Sequence, residues 1–236
     1  MQSSLALASG AIALVLVGSA GPGEAHLFHF ANVRSRETQV ARDFRLIKEL
    51  TQWGTKDFGL AAAVYRGEVR PRERRPSEPG YLLKAEYQRR PSSPPLRALV
   101  QATDRRLGTS VNAEIEATLA SRGPLRLEAA FRKFFYVEIR EILGGLERHL
   151  SEPQVADVLF GVLADYLFTS YEVFLALQHP NVHRQVKDAL EHLRESLPRA
   201  EPLKAAAPAE FERSRRRLET LLRSVTFEGG YDGQPS

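Results

Sequence analysis

The chain has 236 residues, a length that fits one domain or at most two. It is 43% hydrophobic, 26% charged and 8% aromatic, an ordinary globular composition that argues against wholesale disorder. Thirty-three Lys and Arg against twenty-nine Asp and Glu leave a formal charge of +4, with a pI near 9.5. The lack of cysteine excludes disulfides, thiolate metal centres, cysteine nucleophiles and covalently attached haem.

Leu5 to Val17 reads LALASGAIALVLV, about 13 apolar or small residues, which suits a signal-peptide core and is too short to span a bilayer. The small-x-small cleavage pattern occurs at Gly18-Ser19-Ala20 and again at Gly23-Glu24-Ala25, although Met1 to Ser4 carries no Lys or Arg. The expectation is a signal peptide over residues 1–25 and a periplasmic or secreted product, with an uncleaved anchor or a buried first helix as the alternatives. Cleavage after Ala20 stays open beside cleavage after Ala25. The second site would leave His26 at the amino terminus, with His29 close behind. A leading histidine offers a metal its amine and a ring nitrogen, a donor set that Cu(II) favours. In this feature the chain resembles copper-binding secreted proteins with an N-terminal His, the polysaccharide monooxygenases and small periplasmic copper carriers among them. The resemblance covers His26 and the cleavage site, and it implies copper at His26. It also implies a β-sandwich, which nothing downstream resembles; an incidental His26 is the alternative.

Further along, Ser35 followed by Glu37 has the form of a helix start. Val40, Phe44, Ile47 and Leu50 recur at spacings of three and four, predicting a helix to about Trp53. FGLAAAVY, Phe58 to Tyr65, fits a short helix or a buried strand equally well. Residues 66–93 change character. Pro71, Pro76, Pro79 and Pro91 forbid a long regular element there. Eight basic against four acidic side chains give this segment a local +4, which suits anionic lipid, nucleic acid or an acidic partner; the alternative is a solvated connection whose arginines pair with local glutamates. No interleaving of aromatic and basic residues points to nucleic acid.

Everything after that loop reads as helix. Pro94-Pro95 opens a segment ending at Gly108, and Thr109 or Ser110 caps the next, which ends at Gly123-Pro124. Leu125 to Leu150 is long and amphipathic, and Pro153 to His179, with Pro at its first turn, reads as the most apolar helix. Val182 to Leu197 follows, and a last helix opens at Pro208. The predicted fold class is all-α: an antiparallel helical bundle of about five or six helices following the signal peptide. It forms one domain over residues 26–228, with the basic loop at 66–93 and a tail at 229–236.

The candidate site lies on the two longest helices. At ~100° per residue, Phe131, Phe135, Ile139, Ile142 and Leu146 share one face, and Glu138 and His149 fall within it. A carboxylate there needs a cation, a donor or a proton. Gly145 on the same face points to a closely approaching neighbour. On the next helix Gly161, Asp165, Thr169, Glu172, Ala176 and His179 form one narrow polar and small stripe. The short link from Leu150 to Pro153 folds the two helices into a hairpin and sets Glu138 level with Asp165. The alternatives are a wet outer face for the second helix and a marginal Glu138 paired with a nearby basic side chain.

Two His-x-x-Glu strings, His149 to Glu152 and His192 to Glu195, resemble the short motif of imelysin-like helical iron-uptake proteins. That resemblance covers four letters, and the flanking pattern is missing. No Gly-x-Ser-x-Gly, His-Glu-x-x-His, phosphate loop or dinucleotide fingerprint occurs. The leading expectation is an exported, non-enzymatic binding protein for a transition-metal ion, iron or copper. Its candidate ligands are Glu138, Asp165, Glu172, His149 and His179, with His26 and His29 as a separate copper pair. The alternative is an interaction or scaffold bundle that meets a partner or membrane complex through its arginine-rich loop.

Overall fold

Prolines and glycines punctuate the chain, and the helices start and stop at them. The computed structural model describes residues 38–52, 56–68, 94–200 and 203–228, and 84% of these are helical. In chain order the helices are α1 (Gln39–Gln52), α2 (Phe58–Arg66), α3 (Leu96–Leu107), α4 (Val111–Ser121), α5 (Pro124–Arg148), α6 (Pro153–Gln178), α7 (Pro180–Ser196) and α8 (Pro208–Arg223). A π-helical turn, Ser224–Glu228, closes the described chain. Among the described residues the helices therefore number eight, where five or six were expected. The signal peptide, His26, His29, residues 69–93 and the tail at 229–236 lie outside the described residues.

One addition to the count is α2, which hydrophobic periodicity left undecided. Its ends settle it: the Asp57 carboxylate accepts from Leu60 N–H at 2.9 Å, and Gly67, at φ 76°, donates its N–H to the carbonyls of Ala63 and Val64. The turn before α4 works differently from its sequence. Ser110 holds the cap position without a side-chain bond, and the Asp104 carboxylate accepts from Val111 N–H at 2.9 Å and Asn112 N–H at 2.8 Å. A carboxylate from α3 thus satisfies the first donors of α4 and locks the two helices at their shared corner.

The helices stack in three layers. α5 and α6 form the middle. α7 and α8 lie on one side, α7 against α6 and α8 against α5. The other side carries α1 on both central helices, α3 and α4 on α5, and α2 wedged among α1, α3 and α4. Rings join this second layer to the centre: Phe44 lies 4.6 Å from Phe131 and 5.0 Å from Phe135, and Tyr65 stands edge-on to Phe131 at 5.9 Å. Phe135 in turn meets Tyr166 of α6 at 5.1 Å. All five predicted apolar residues of α5 are buried, as 3.6-residue periodicity requires. Gly145 gives α6 the close approach its position implied: an added Cβ would come within 3.4 Å of Leu159 Cδ1.

Candidate functional site

The polar stripe of α6 begins at Asp165, which is 2% exposed. Its Oδ2 accepts from Thr38 N–H at 2.9 Å and is 3.3 Å from the Thr38 hydroxyl, while Arg45 Nη2 stands 3.8 Å from Oδ1. Thr38 Oγ1 also accepts from Ala41 N–H at 3.1 Å, so Asp165 holds the start of α1 through its capping residue. Glu138 is engaged elsewhere. Thr103 of α3 donates to its Oε1 at 2.9 Å, and Arg106 Nη2 lies 3.7 Å away. Burial raises the Glu138 pKa, opposed by the Thr103 hydrogen bond and the Arg106 charge.

The idea of two acids turned towards each other across the hairpin is therefore corrected. Reflection about the turn addresses height along the hairpin and leaves rotation open. The start of α1 reaches Asp165, and the end of α3 reaches Glu138; each carboxylate takes the donor its own neighbour brings. Tyr166 links the two environments. Its hydroxyl is raised in pKa by burial first and by the charge of Glu138 next, a hydrogen bond with Thr38 opposes this, and the charge of Asp165 adds to it. Thr103, Glu138, Tyr166, Thr38, Asp165 and Arg45 thus form one polar seam at the junction of α1, α3, α5 and α6. Protein groups satisfy its carboxylates, which makes the seam a lock between helices.

One and two turns on, the stripe changes. The Thr169 hydroxyl and Glu172 Oε2 are both buried without a hydrogen-bond partner, a rare condition for polar atoms in folded proteins. Burial pushes the Glu172 carboxyl up to about 7, and the charge of Lys187 on α7 opposes the rise. His183, one turn from Lys187, is held below the usual imidazole range by burial and by that same charge. This part of α6 lies beside the most exposed apolar residues of the helix, Val173 at 58% and Leu177 at 78%.

The histidines are scattered. His149 follows the last residue of α5, and its Nδ1 stands 3.0 Å from Glu152 at the surface. His179 sits between α6 and α7 with its ring 5.0 Å from that of Phe174. The Arg132 guanidinium lies 3.7 Å from the centroid of the same Phe174 ring. His192 and Glu195 are both exposed. Among the described residues no group of three or more His, Asp or Glu is arranged to share one metal ion. The expected ligands therefore occupy at least four separate places.

Sequence reasoning missed Thr38, Thr103, Tyr166 and Lys187. For Lys187 a signal existed, since reflection about the Pro180 turn places it level with Glu172. No comparable signal marks Thr38 or Thr103, whose partners lie 127 and 35 residues away. No family model matches this chain, and neither a curated protein nor a solved structure is detectably similar to it.

Proposed function

We propose that this protein is an exported, non-enzymatic interaction module, an antiparallel helical bundle that engages an apolar protein partner through the last two turns of α6. One observation carries the reading. α6 is long and apolar enough to cross a membrane and is mostly buried in the bundle, yet Val173 and Leu177, one turn apart, are 58% and 78% exposed. Large apolar side chains left in water on a mostly buried helix suit a surface that another molecule covers. Ala176 between them is exposed as well, so the ridge is flat enough for a helix or strand to lie along it. The test is a photo-crosslinking residue placed at 173 or 177 in the native cell. A single defined adduct at both positions, absent when the probe stands at exposed Ala113, supports the reading; no adduct, or the same adducts at all three, ends it. Deleting residues 69–93 in the same assay measures the share of the arginine-rich loop.

A second reading, capture of a transition-metal ion, is favoured by the orphaned Glu172 Oε2 and Thr169 hydroxyl. A cation seated against them would supply what both atoms lack, with the carboxyl losing its proton on binding. Metal analysis of protein purified without a histidine tag decides this. Bound iron or copper, lost in Glu172→Gln, supports it; no bound metal and no thermal stabilisation by Cu(II), Fe or Zn removes it.

A further inference from the structure

The outer layer of the fold shows a charge pattern that neither reading uses. α7 presents Asp188, Glu191, His192 and Glu195 to solvent, and α8 presents Arg213, Arg216, Arg217, Thr220 and Arg223. Arg213 and Arg216 are 73% and 75% exposed while touching Glu210 and Glu212. Among the described residues, no ion pair engages the three acids on α7 or Arg217 and Arg223 on α8. Among the described residues, nothing from α1–α4 packs extensively on this layer, and the acidic and basic stripes run side by side on its exposed side.

The two stripes also share a register. Ala207 N–H donates to Ser196 O at 2.9 Å, which pins the foot of α8 to the end of α7. Counting away from that pin along both helices sets Asp188 level with Arg215, next to exposed Arg216 and Arg217. It sets Glu191 level with Glu212, next to exposed Arg213. A two-fold axis along the seam, parallel to the helices, would lay α7 of one copy on α8 of another at unchanged height. Each acidic stripe would then meet a basic one, twice over, as an isologous contact requires. Glu212, level with Glu191, is held by Arg215 and Arg216; Glu210, held by Arg213, and Arg184, held by Asn181, are further residues whose sign matches the stripe they would meet.

We infer that the α7–α8 face binds a second copy of this chain, forming a symmetric dimer through Asp188 and Glu191 of one copy against Arg213, Arg216 and Arg217 of the other. The inference rests on the antiparallel course of α7 and α8 and is independent of the α6 ridge. Helices of 17 and 16 residues give a face of roughly 500 Å² per copy, below the ~800 Å² of a standard interface. The dimer is accordingly weak, and because its contacts are exposed ion pairs it weakens further as salt screens them.

Sedimentation equilibrium of the full chain, at about 100 µM and low ionic strength, tests this. Self-association is expected, falling about tenfold or more in affinity when salt is raised past physiological strength. Asp188→Arg with Glu191→Arg should be monomeric, as should Arg213→Glu with Arg217→Glu. An equimolar mixture of those two variants should form a heterodimer, because one copy then carries two basic stripes and the other two acidic ones. Asp188→Asn with Glu191→Gln, which leaves no new charge on the surface, serves where a reversal impairs folding and should weaken association without abolishing it. A monomeric wild type at low salt, association unchanged in the variants, or a mixture that stays monomeric would each overturn the inference.

Discussion

At the scale of single residues, three buried carboxyls separate into two kinds. Asp165 and Glu138 accept hydrogen bonds from neighbouring helices, and Glu172 has a buried oxygen without one. Asp165→Ala would leave the Thr38 N–H without its acceptor at the start of α1. We expect a loss of about 2 kcal/mol, typical of a cap bond combined with a buried orphan donor, read as a shift in the urea midpoint. Glu172 behaves differently with pH. Its folded value of about 7 exceeds the ordinary unfolded carboxyl value, so between the two the folded state binds more protons than the unfolded state. Stability from this group is full below the unfolded pKa and is lost as pH rises through about 7. Thr169 lies one turn before it, and Lys187 on α7 is the charge that acts on it. Glu172→Gln should flatten that slope and be more stable than wild type at pH 8, by about 1–2 kcal/mol once solvent screening is allowed for. A wild-type stability that does not fall between pH 5 and 8 would exclude this account.

The sequence marked Glu138, Asp165 and Glu172 as residues out of place on apolar faces, and all three are at least partly buried. Their partners were illegible. A helical wheel carries the angle of a side chain about its own axis and says nothing of which distant helix will arrive there. Thr38 and Thr103 are ordinary residues in their local patterns, and only tertiary packing makes them donors. Histidine was overweighted for the same reason: His149 and His179 occupy helix ends, where solvent and ring contacts suffice.

Among elements, boundaries were well marked where glycine or proline acts. α3 ends at Gly108 at φ 66°, and α5 to α8 each begin with proline, as the missing N–H and fixed φ of proline favour. Capping by side chains was less visible, because the Asp104 carboxylate that caps α4 comes from the preceding helix. Asp104→Ala should therefore cost about 1–2 kcal/mol, more than Ser110→Ala, although Ser110 is the residue at the cap position. Thermal midpoints of the two variants check the ranking. At the α5–α6 contact, Gly145→Ala trades helix propensity against a slight push on Leu159 and should stay within ~1 kcal/mol of wild type. Gly145→Leu drives the helices apart and should cost about 2–3 kcal/mol.

For the whole molecule, periodicity and punctuation were enough to read an all-helical fold, and the layering was beyond them. Sequence patterns show that a helix has a buried face without naming what buries it. The aromatic cluster of Phe44, Tyr65, Phe131, Phe135 and Tyr166 brings together α1, α2, α5 and α6, segments up to 122 positions apart between Phe44 and Tyr166. Chemistry on such a fold is read from its surfaces as much as from its interior. Here the surfaces are the α6 ridge and the paired stripes of α7 and α8.

The three-layer arrangement also sets the order in which the protein can come apart. Among the described residues the outer layer rests on α5 and α6, with the Tyr171 hydroxyl bonded to Arg132 O at 3.0 Å and Thr226 Oγ1 at 2.8 Å as a clasp at its far end. Loosening that clasp lets two helices swing away while the aromatic cluster stays closed, so amide protons of α7 and α8 should exchange with deuterium well before those of α5. Tyr171→Phe should speed the outer pair selectively.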